Sequence, residues 1–219
     1  MATPVIELVK GPSPTWISTN QGPATAAYIG AAVHHKPSPW KRSEIVDALK
    51  IECNHKCMYC EGFIDDVAYA AVEHIRPKST HPELVLEWTN LGIACQRCNT
   101  NKGDYWTDLA ELQLLNPYVD RVADHLQFVG PIVVSAGGSS RGVNTVRVLK
   151  FFDREDLLVS KMKRIEDLDL RIRLWRRESN EEVKILLAED IQDAIGPGRE
   201  FSASLVAFAS LQGFDASTL

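Results

Sequence analysis

The sequence lacks an excess of positive charge. Its 24 Lys and Arg residues are outnumbered by 29 Asp and Glu residues, which gives a formal net charge of −5 at pH 7. Proteins that bind nucleic acid indiscriminately usually carry a large basic excess, because they must displace counterions from the phosphates. Residues 147–177 are locally basic, but their charges do not follow one stripe at helical spacing. We interpret them as a solvated helix surface.

Signals for a membrane, for secretion and for ATP binding are also missing. No apolar run approaches the length of a membrane span, and residues 1–7 contain neither the basic nor the apolar region of a signal peptide. We therefore expect a cytoplasmic protein. The Gly-rich run at 137–142 is not followed by Gly-Lys-Ser/Thr, so any control by ATP would require a partner protein.

Cysteine is scarce, and its placement excludes a disulfide framework. Of the five cysteines, four form two Cys-x-x-Cys pairs, which fits metal binding in a reducing compartment. Each pair turns tightly enough to direct both sulfurs to one point, so two pairs can hold one tetrahedral zinc ion. The sequence therefore predicts a structural zinc site made by Cys57, Cys60, Cys95 and Cys98.

The residues around the first pair leave alternatives open. Cys53 follows the apolar face of the preceding helix, and we interpret it as a small buried residue. His55 could replace one thiolate, although two intact pairs favour an all-sulfur site. A Cys-x-x-Cys redox protein is a further alternative, which is disfavoured because neither pair has a thioredoxin-like strand-to-helix context.

The segment between the two pairs carries polar residues in an ordered pattern. Residues 67–75 and 91–94 predict two strands joined by a long connection, and Asn99 opens a short helix directly after the second pair. His74 suits a general base, because an imidazole with a pKa near neutrality can take a proton from water. Glu73 and Asn99 offer oxygen ligands for a hard catalytic cation, Mg²⁺ or Mn²⁺.

With these residues the chain resembles the HNH endonucleases, whose ββα-metal site is often braced by a four-cysteine zinc. The resemblance implies an α+β fold: a zinc-braced ββα-metal (HNH) core with largely helical N- and C-terminal extensions. It also implies that Glu73 and Asn99 hold the catalytic cation and that His74 is the base. Asn90 would fix the loop between the strands, and Lys102 would contact phosphate. Glu73 stands where the family commonly has Asp, and Asn99 where it has His.

A narrower resemblance covers about residues 40–130. The segments at 57–61, 73–79, 88–91 and 95–99 are similar to PtuB, the HNH subunit family of Septu-type anti-phage systems, which is also found with retrons. This resemblance implies a nuclease effector of antiviral defence that cuts DNA rather than RNA and works with a PtuA-like ATPase of the ABC/SMC type. The alternative is a catalytically inactive zinc module that binds nucleic acid or a protein partner.

The chain as a whole predicts three regions. Residues 1–40 are broken by prolines and predict an irregular arm with a short helix near 24–33. Residues 41–136 form the predicted nuclease domain, with Ser43 capping a helix over 44–52, a helix over 108–115, and strands at 126–129 and 132–134. The run at 137–142 predicts a linker, and residues 143–219 predict a helical region with helices ending near 177, 195 and 211.

Overall fold

The computed structural model describes residues 6–64 and 70–214, which fall into two compact units. The amino-terminal unit is Glu7–Asp120, and the carboxy-terminal unit comprises the described residues from Arg121 onward together with Ile6. The architecture is α+β, as predicted, with helices and small antiparallel sheets. None of the helices in the described part of the chain combines the length and the apolar character that a membrane crossing requires.

The amino-terminal unit is built around an antiparallel pair of strands. Its helices are α1 (Thr15–Gly30), α2 (Ser43–Glu52) and α3 (Gln96–Lys102), and its strands are β1 (Ala70–His74) and β2 (Leu91–Cys95). The register pairs Val72 with Ile93, Glu73 with Gly92, and His74 with Leu91. β2 is buried along its whole length, which explains its continuous apolar sequence. Both predicted strands are confirmed, while residues 67–69 of the first lie outside the described part of the chain.

Two helix starts differ from those predicted. α2 begins at Ser43 itself after Arg42, and no side chain caps its first turn. α3 begins at Gln96, so Asn99 lies inside the helix and does not open it. The Cys95 sulfur accepts a hydrogen bond from the Cys98 amide at 3.4 Å, and this bond caps α3 in place of an Asn side chain.

The amino-terminal arm is more ordered than its prolines suggested. The structure contains a 16-residue helix, α1, where the sequence predicted an irregular arm with a short helix near 24–33. Upstream of α1, the Lys10 ammonium donates to Glu52 at 3.0 Å and to the Leu91 carbonyl at 2.8 Å. Trp88 Nε1 donates to the Gly11 carbonyl at 2.8 Å. Partners distant in sequence therefore hold the arm in place, which local propensity could not reveal.

The predicted helix over 108–115 is wrong. The structure has only a 3₁₀ turn, Ala110–Leu112, in that stretch. Tyr105 donates its hydroxyl to the Leu112 carbonyl at 2.9 Å, and the Gln113 side chain donates to the Thr107 carbonyl at 3.2 Å. These bonds satisfy carbonyls that a helix would otherwise use. Leu109 is 55% exposed, so burial of its side chain does not stabilise a helix in this stretch.

The carboxy-terminal unit begins with a β-hairpin and continues in helices. Strands β3 (Leu126–Val129) and β4 (Ile132–Ser135) pair antiparallel across a turn at Gly130, where φ is 56°. The helices that follow are α4 (Ser140–Val148), α5 (Glu155–Arg177), α6 (Glu181–Ala194) and α7 (Ser202–Leu211). The hairpin and the last three helices agree with the sequence prediction.

The Gly-rich run at 137–142 is not a linker. Ser139 caps α4 by accepting from the Gly142 amide at 3.0 Å, and its hydroxyl contacts His125 Nδ1 at 2.7 Å. Gly142 is buried, and a Cβ at this position would collide with the His125 carbonyl oxygen. The run therefore fastens α4 to the start of β3. For this reason the compact units divide after Asp120, whereas the sequence predicted a division between residues 136 and 143.

Helix α5 buries the predicted stripe except near its amino-terminal end. Ile165, Leu168 and Ile172 are buried against α6 and α7, as expected. Met162, which was predicted for the same face, is 43% exposed, while Lys161 is only 3% exposed. The Lys161 ammonium lies 5.7 Å from the Phe128 ring and 5.6 Å from the Phe201 ring, so cation–π contacts allow a cation to occupy a core position.

Candidate active site

The four paired cysteines form one buried cluster. Their sulfur atoms all lie within 4.8 Å of one another, and the Cys60 and Cys95 sulfurs are 3.8 Å apart. A tetrahedron with Zn–S bonds of about 2.3 Å places its sulfurs about 3.8 Å apart. The donor set and its geometry therefore fit a closed structural metal site. Cys53 and His55 are not in the cluster, and the Cys53 thiol instead contacts the Tyr118 hydroxyl at 3.6 Å.

Burial determines the protonation of Cys53. Only 1% of its surface is exposed, and burial raises the pKa of its thiol to about 11, although the Tyr118 hydroxyl bond acts in the opposite direction. The prediction of a small buried residue at this position is therefore confirmed. Within the cluster, hydrogen bonds from neighbouring sulfurs lower the pKa of Cys95, whereas burial raises the pKa of Cys57 and bonds to the other thiols raise the pKa of Cys98. A metal ion would therefore release protons from the cluster on binding.

The β1–β2 strand pair positions the first cysteine pair through backbone contacts. The Met58 amide donates to the Ile93 carbonyl at 3.0 Å. This bond ties the turn of the first Cys-x-x-Cys pair to β2, the strand that ends at Cys95. Gly92 allows this approach, because a Cβ there would lie 2.5 Å from the Met58 sulfur. The Cys57 amide closes the turn of the first cysteine pair by donating to the Gly62 carbonyl at 2.9 Å. The two pairs are thus brought together by strand packing as well as by their spacing.

His74, the last residue of β1, is held in one orientation. Its Nε2 lies 3.1 Å from the Val85 carbonyl oxygen, which can only accept, so Nε2 carries the hydrogen. Nδ1 has no hydrogen-bond partner among the residues that the structure describes. The ring packs edge-on against Trp40 with centroids 5.0 Å apart. Burial lowers the pKa of His74 to about 4, so the imidazole is neutral at pH 7 with its lone pair on Nδ1.

Asn90 holds together the loop that faces His74. Its side-chain oxygen accepts from the Arg76 amide at 2.8 Å, and its amide nitrogen donates to the carbonyls of Arg76 at 3.1 Å and Leu84 at 3.2 Å. Leu84 is adjacent to Val85, whose carbonyl orients the His74 ring. The buried Asn90 amide therefore joins the end of β1 to the connection between the strands.

Glu73 and Lys102 form a buried ion pair. The Lys102 ammonium lies 2.6 Å from a Glu73 carboxylate oxygen and also donates to the His74 carbonyl at 2.8 Å. Only 2% of Glu73 and 4% of Lys102 is exposed. Burial raises the pKa of the Glu73 carboxyl, and the Lys102 charge acts in the opposite direction. The ion pair thus connects α3 to β1, the strand that ends at His74.

The family model for HNH endonucleases matches residues 57–105. This stretch contains both cysteine pairs, the elements β1, β2 and α3, and the predicted site residues Glu73, His74, Asn90, Asn99 and Lys102. Residues 57–105 form an HNH endonuclease domain. The predicted family resemblance is therefore confirmed for the part of the chain that carries the site.

Two curated proteins are similar to a longer part of the chain. The Septu protein PtuB of Bacillus thuringiensis is 31% identical over 159 residues, which cover 72% of this chain and 59% of that protein. The Septu protein PtuB of Bacillus mycoides (strain KBAB4) is 31% identical over 161 residues, which cover 60% of this chain and 54% of that protein. The chain thus spans somewhat more than half the length of the curated relatives that it matches.

The HNH domain brings Glu73, His74 and Asn90 to one end of the strand pair. Glu73 and His74 end β1, Asn90 immediately precedes β2, and Asn99 and Lys102 lie on α3, which packs against both strands. The Asn99 side chain is half-buried and forms no hydrogen bond with any residue that the structure describes. Lys102, predicted to contact phosphate, directs its ammonium at Glu73.

The donors for a catalytic cation are fewer than those of the cysteine cluster. Apart from the four cysteines, no group of three His, Cys, Asp or Glu ligands converges within the described ranges. The Glu73 carboxylate and the Asn99 amide oxygen are of the type that a hard cation prefers. One carboxylate oxygen already pairs with Lys102, so a cation on Glu73 would bind the other oxygen or displace that ammonium.

Sequence reasoning missed two residues that shape this site. Val85 supplies the carbonyl that fixes the His74 tautomer, and Trp40 supplies the apolar surface that buries the ring. A backbone carbonyl has no residue-type signature, so no motif could have identified Val85. Trp40 lies 34 positions before His74 and outside the matched family region. Only the packing of the segment before α2 against β1 brings it to the imidazole.

Proposed function

We propose that the chain is a metal-dependent HNH endonuclease that hydrolyses phosphodiester bonds of nucleic acid, with DNA preferred over RNA. The observation that carries the proposal is the state of His74. The Val85 carbonyl holds the hydrogen on Nε2, which leaves the lone pair on Nδ1, and burial lowers the pKa, so the imidazole is unprotonated at neutral pH. A positioned base of this kind typically accelerates such a reaction about 10² to 10⁴-fold.

In the proposed reaction, His74 Nδ1 accepts the proton of the water that attacks phosphorus. The Asn90 amide keeps the connecting loop, and with it the Val85 carbonyl, at the distance that orients the imidazole. Lys102 holds the His74 carbonyl and so secures the end of β1 during the proton transfer. These contacts are a preorganised frame, which matters because small misplacements of a base sharply reduce its rate contribution.

Two kinds of metal ion belong to the proposal. A zinc ion on Cys57, Cys60, Cys95 and Cys98 would stabilise the β1–β2 strand pair. A Mg²⁺ or Mn²⁺ ion held by Glu73 and Asn99 would supply positive charge to the scissile phosphate and the leaving oxygen. Since this chain contributes one carboxylate, we expect weak binding of the free ion, with substrate phosphate completing the site.

We further propose that the nuclease is an effector of Septu-type anti-phage defence that works with a PtuA-like ATPase of the ABC/SMC type. The similarity to two Septu PtuB proteins supports the assignment to such a system. An apolar stripe on α5, formed by Val159, Met162, Leu170 and Leu174, supports a protein partner. Each of its members is between 43% and 58% exposed.

This α5 stripe lies opposite the buried face of the helix. At 100° per residue its four members fall within about 120° of one another, and they extend over about 22 Å. Exposed apolar side chains that share one helix face commonly mark interaction sites, and the charged Lys163 and Glu166 lie between Met162 and Leu170 on this face. The stripe is therefore our proposed contact surface for the ATPase.

The proposed activity is tested by incubating the purified protein with linear DNA and with RNA in Mg²⁺, alone and with the ATPase product of a neighbouring gene. The informative variant is His74→Gln, because glutamine can still donate to the Val85 carbonyl but has no base at Nδ1. We expect its cleavage rate to fall by about 10²-fold or more, with unchanged zinc content and unfolding midpoint. His81→Gln is the matched control, since His81 is the next histidine along the chain.

Near-wild-type cutting by His74→Gln would assign the base elsewhere, with His81 the first residue to test. No cutting by the wild-type protein under any of these conditions, together with retained binding of nucleic acid or ATPase, would support the alternative of a catalytically inactive zinc module.

A further inference from the structure

The carboxy-terminal unit contains a groove that the proposed chemistry does not use. Its volume is about 440 Å³, within the range of sites that hold small organic groups. Strand β4, helix α4 and the 3₁₀ turn Phe151–Asp153 form its walls. Val143 and Val146 of α4 contribute apolar surface, and Arg147, Lys150 and Phe152 line the groove beside them.

The walls of this groove are firmly held. Gly142 allows α4 to lie directly against the His125 carbonyl, and Ser139 joins the start of the helix to the His125 ring. On the other side, Phe151 is 4% exposed and anchors the 3₁₀ turn in the core. The next side chain, Phe152, is 55% exposed at the groove. An exposed aromatic ring is thus presented on a rigid turn.

The two cations at the groove are not neutralised by the protein. Arg147 donates to the Asn144 side chain at 2.8 Å and forms no ion pair with the residues that the structure describes. Within the same described ranges, Lys150 has no ion-pair partner either. Other arginines of this unit behave differently, since Arg171 pairs with Asp190 and Arg173 with Asp169. One carboxylate, Asp153, also lines the groove, so its net charge is positive on a chain that is negative overall.

We propose that this groove binds a segment of single-stranded nucleic acid. An unpaired base stacks on the Phe152 ring over the valine surface, and the flanking phosphates contact Arg147 and Lys150. Base–aromatic stacking combined with cations that follow the backbone is the general physical basis of single-strand binding. A duplex does not fit this arrangement, because its bases are already stacked and paired. The inference deepens the proposed function, since it specifies the strand state of the nucleic acid.

The experiment measures binding separately from cleavage. A fluorescein-labelled 12-nucleotide oligothymidine is titrated with full-length protein carrying His74→Gln, and fluorescence anisotropy reports the Kd. Into this background we introduce Phe152→Ala or Lys150→Gln. The matched controls are Leu170→Ala, an exposed apolar residue on α5, and Lys163→Gln, an exposed lysine on the same helix. Unfolding curves verify that each variant is folded.

We expect Phe152→Ala to weaken binding about 10-fold and Lys150→Gln to weaken it about 3- to 10-fold at low salt. Lys150→Gln should also reduce the slope of log K against log salt concentration by about 0.7, the value for one phosphate contact on a single strand. Both controls should stay within about twofold of the parent protein. A duplex of the same sequence should compete at least about 10-fold less well than the single strand.

The proposal is overturned if Phe152→Ala and Lys150→Gln bind like their controls. It is equally overturned if the duplex competes as well as the single strand, or if a Glu-rich peptide containing Phe displaces the oligonucleotide at equal concentration, which would indicate an acidic protein partner. Groove-dependent binding without cleavage by wild-type protein would refute the proposed nuclease activity and leave this inference standing. Cleavage by wild-type protein together with groove-independent binding would support the nuclease activity and refute this inference.

Discussion

At the scale of single residues, His74 links the proposed chemistry to the stability of the fold. Its imidazole is 4% exposed and contacts Trp40 and the Val85 carbonyl. Burial disfavours the charged form, which lowers the pKa from an ordinary value of 6.5 to about 4. The same burial that keeps the imidazole neutral therefore makes the folded state sensitive to acid.

The sign of this effect gives a testable pH dependence. Between pH 6.5 and pH 4 the unfolded chain binds a proton at His74 that the native chain does not, so the free energy of unfolding falls as the pH falls through this window. We expect the loss to reach about 1.4 kcal/mol per pH unit. His74→Gln, which does not titrate, should lack this component. Urea unfolding of both proteins at pH 7.5, 6 and 5 measures this His74 contribution. If the free energies of unfolding of the two proteins fall in parallel with pH, the prediction is wrong.

The Glu73–Lys102 pair makes a second prediction at this scale. Removing one member leaves the other charge buried without its partner, so Glu73→Gln or Lys102→Met should each lower the free energy of unfolding by about 3 kcal/mol or more. The double variant should be more stable than the sum of the single losses predicts, because both charges are gone. Urea unfolding at pH 7.5 gives the coupling energy.

An exposed ion pair serves as the control for this double-mutant cycle. Arg173 and Asp169 lie 2.6 Å apart on α5 with side chains 64% and 25% exposed, and we expect a coupling below about 1 kcal/mol. A Glu73–Lys102 coupling no larger than that of the α5 pair would show that the buried contact contributes little. In that case Lys102 would be free to act on phosphate, as its sequence position predicted.

At the scale of elements, the β1–β2 hairpin depends on the cysteine cluster. A two-stranded hairpin is only marginally stable in water by itself. β2 ends at Cys95, one member of the second cysteine pair, and its Ile93 carbonyl accepts from the amide of Met58, which lies in the first pair. Metal binding at this cluster would therefore supply folding free energy directly to the elements that hold His74 and Asn90.

We expect one zinc ion per chain and a local response to its removal. After chelation, the amides of β1, β2 and α3 should lose protection from hydrogen exchange, while those of α5 and α6 keep it because none of the cysteines contributes to their core. Elemental analysis and hydrogen-exchange mass spectrometry provide the two measurements. A chain purified without zinc, or a disulfide within either Cys-x-x-Cys pair, would contradict the assignment.

At the scale of the whole molecule, the two units carry different kinds of surface. The amino-terminal unit holds the HNH domain, whereas the exposed α5 stripe belongs to the carboxy-terminal unit. Since the helical core of that unit is already filled on the opposite side of α5, the stripe is not needed for folding. Catalysis and recruitment are thus proposed for separate compact units.

The recruitment proposal predicts the effect of charged substitutions on the stripe. Leu170→Glu with Leu174→Glu should reduce co-purification of the PtuA-like ATPase at least about 10-fold, because carboxylates cannot be desolvated in an apolar interface without a partner. Leu211→Glu on α7 is the control, since Leu211 is 78% exposed and lies outside the stripe. Undiminished co-purification of the double variant would mean that the ATPase binds elsewhere or not at all.

Much of the site could be predicted because its signals are local. The two Cys-x-x-Cys pairs predict a tetrahedral sulfur site by residue type and spacing, and the structure brings the four sulfurs together. Strands β1 and β2 follow from their apolar content, and α5 and α6 from their helical period and, for α6, the Asn180 cap. The HNH domain could be recognised because residue identity at fixed spacing is all that such a motif requires.

The remainder depended on contacts between residues distant in sequence, which no local pattern encodes. Ordering of the arm depends on Lys10 reaching Glu52 and the Leu91 carbonyl, and the orientation of His74 depends on the Val85 carbonyl. The start of α4 within a Gly-rich run depends on the close approach of Gly142 to His125. Tertiary structure alone paired Lys102 with Glu73, because burial makes a carboxylate the most favourable partner within reach of that ammonium.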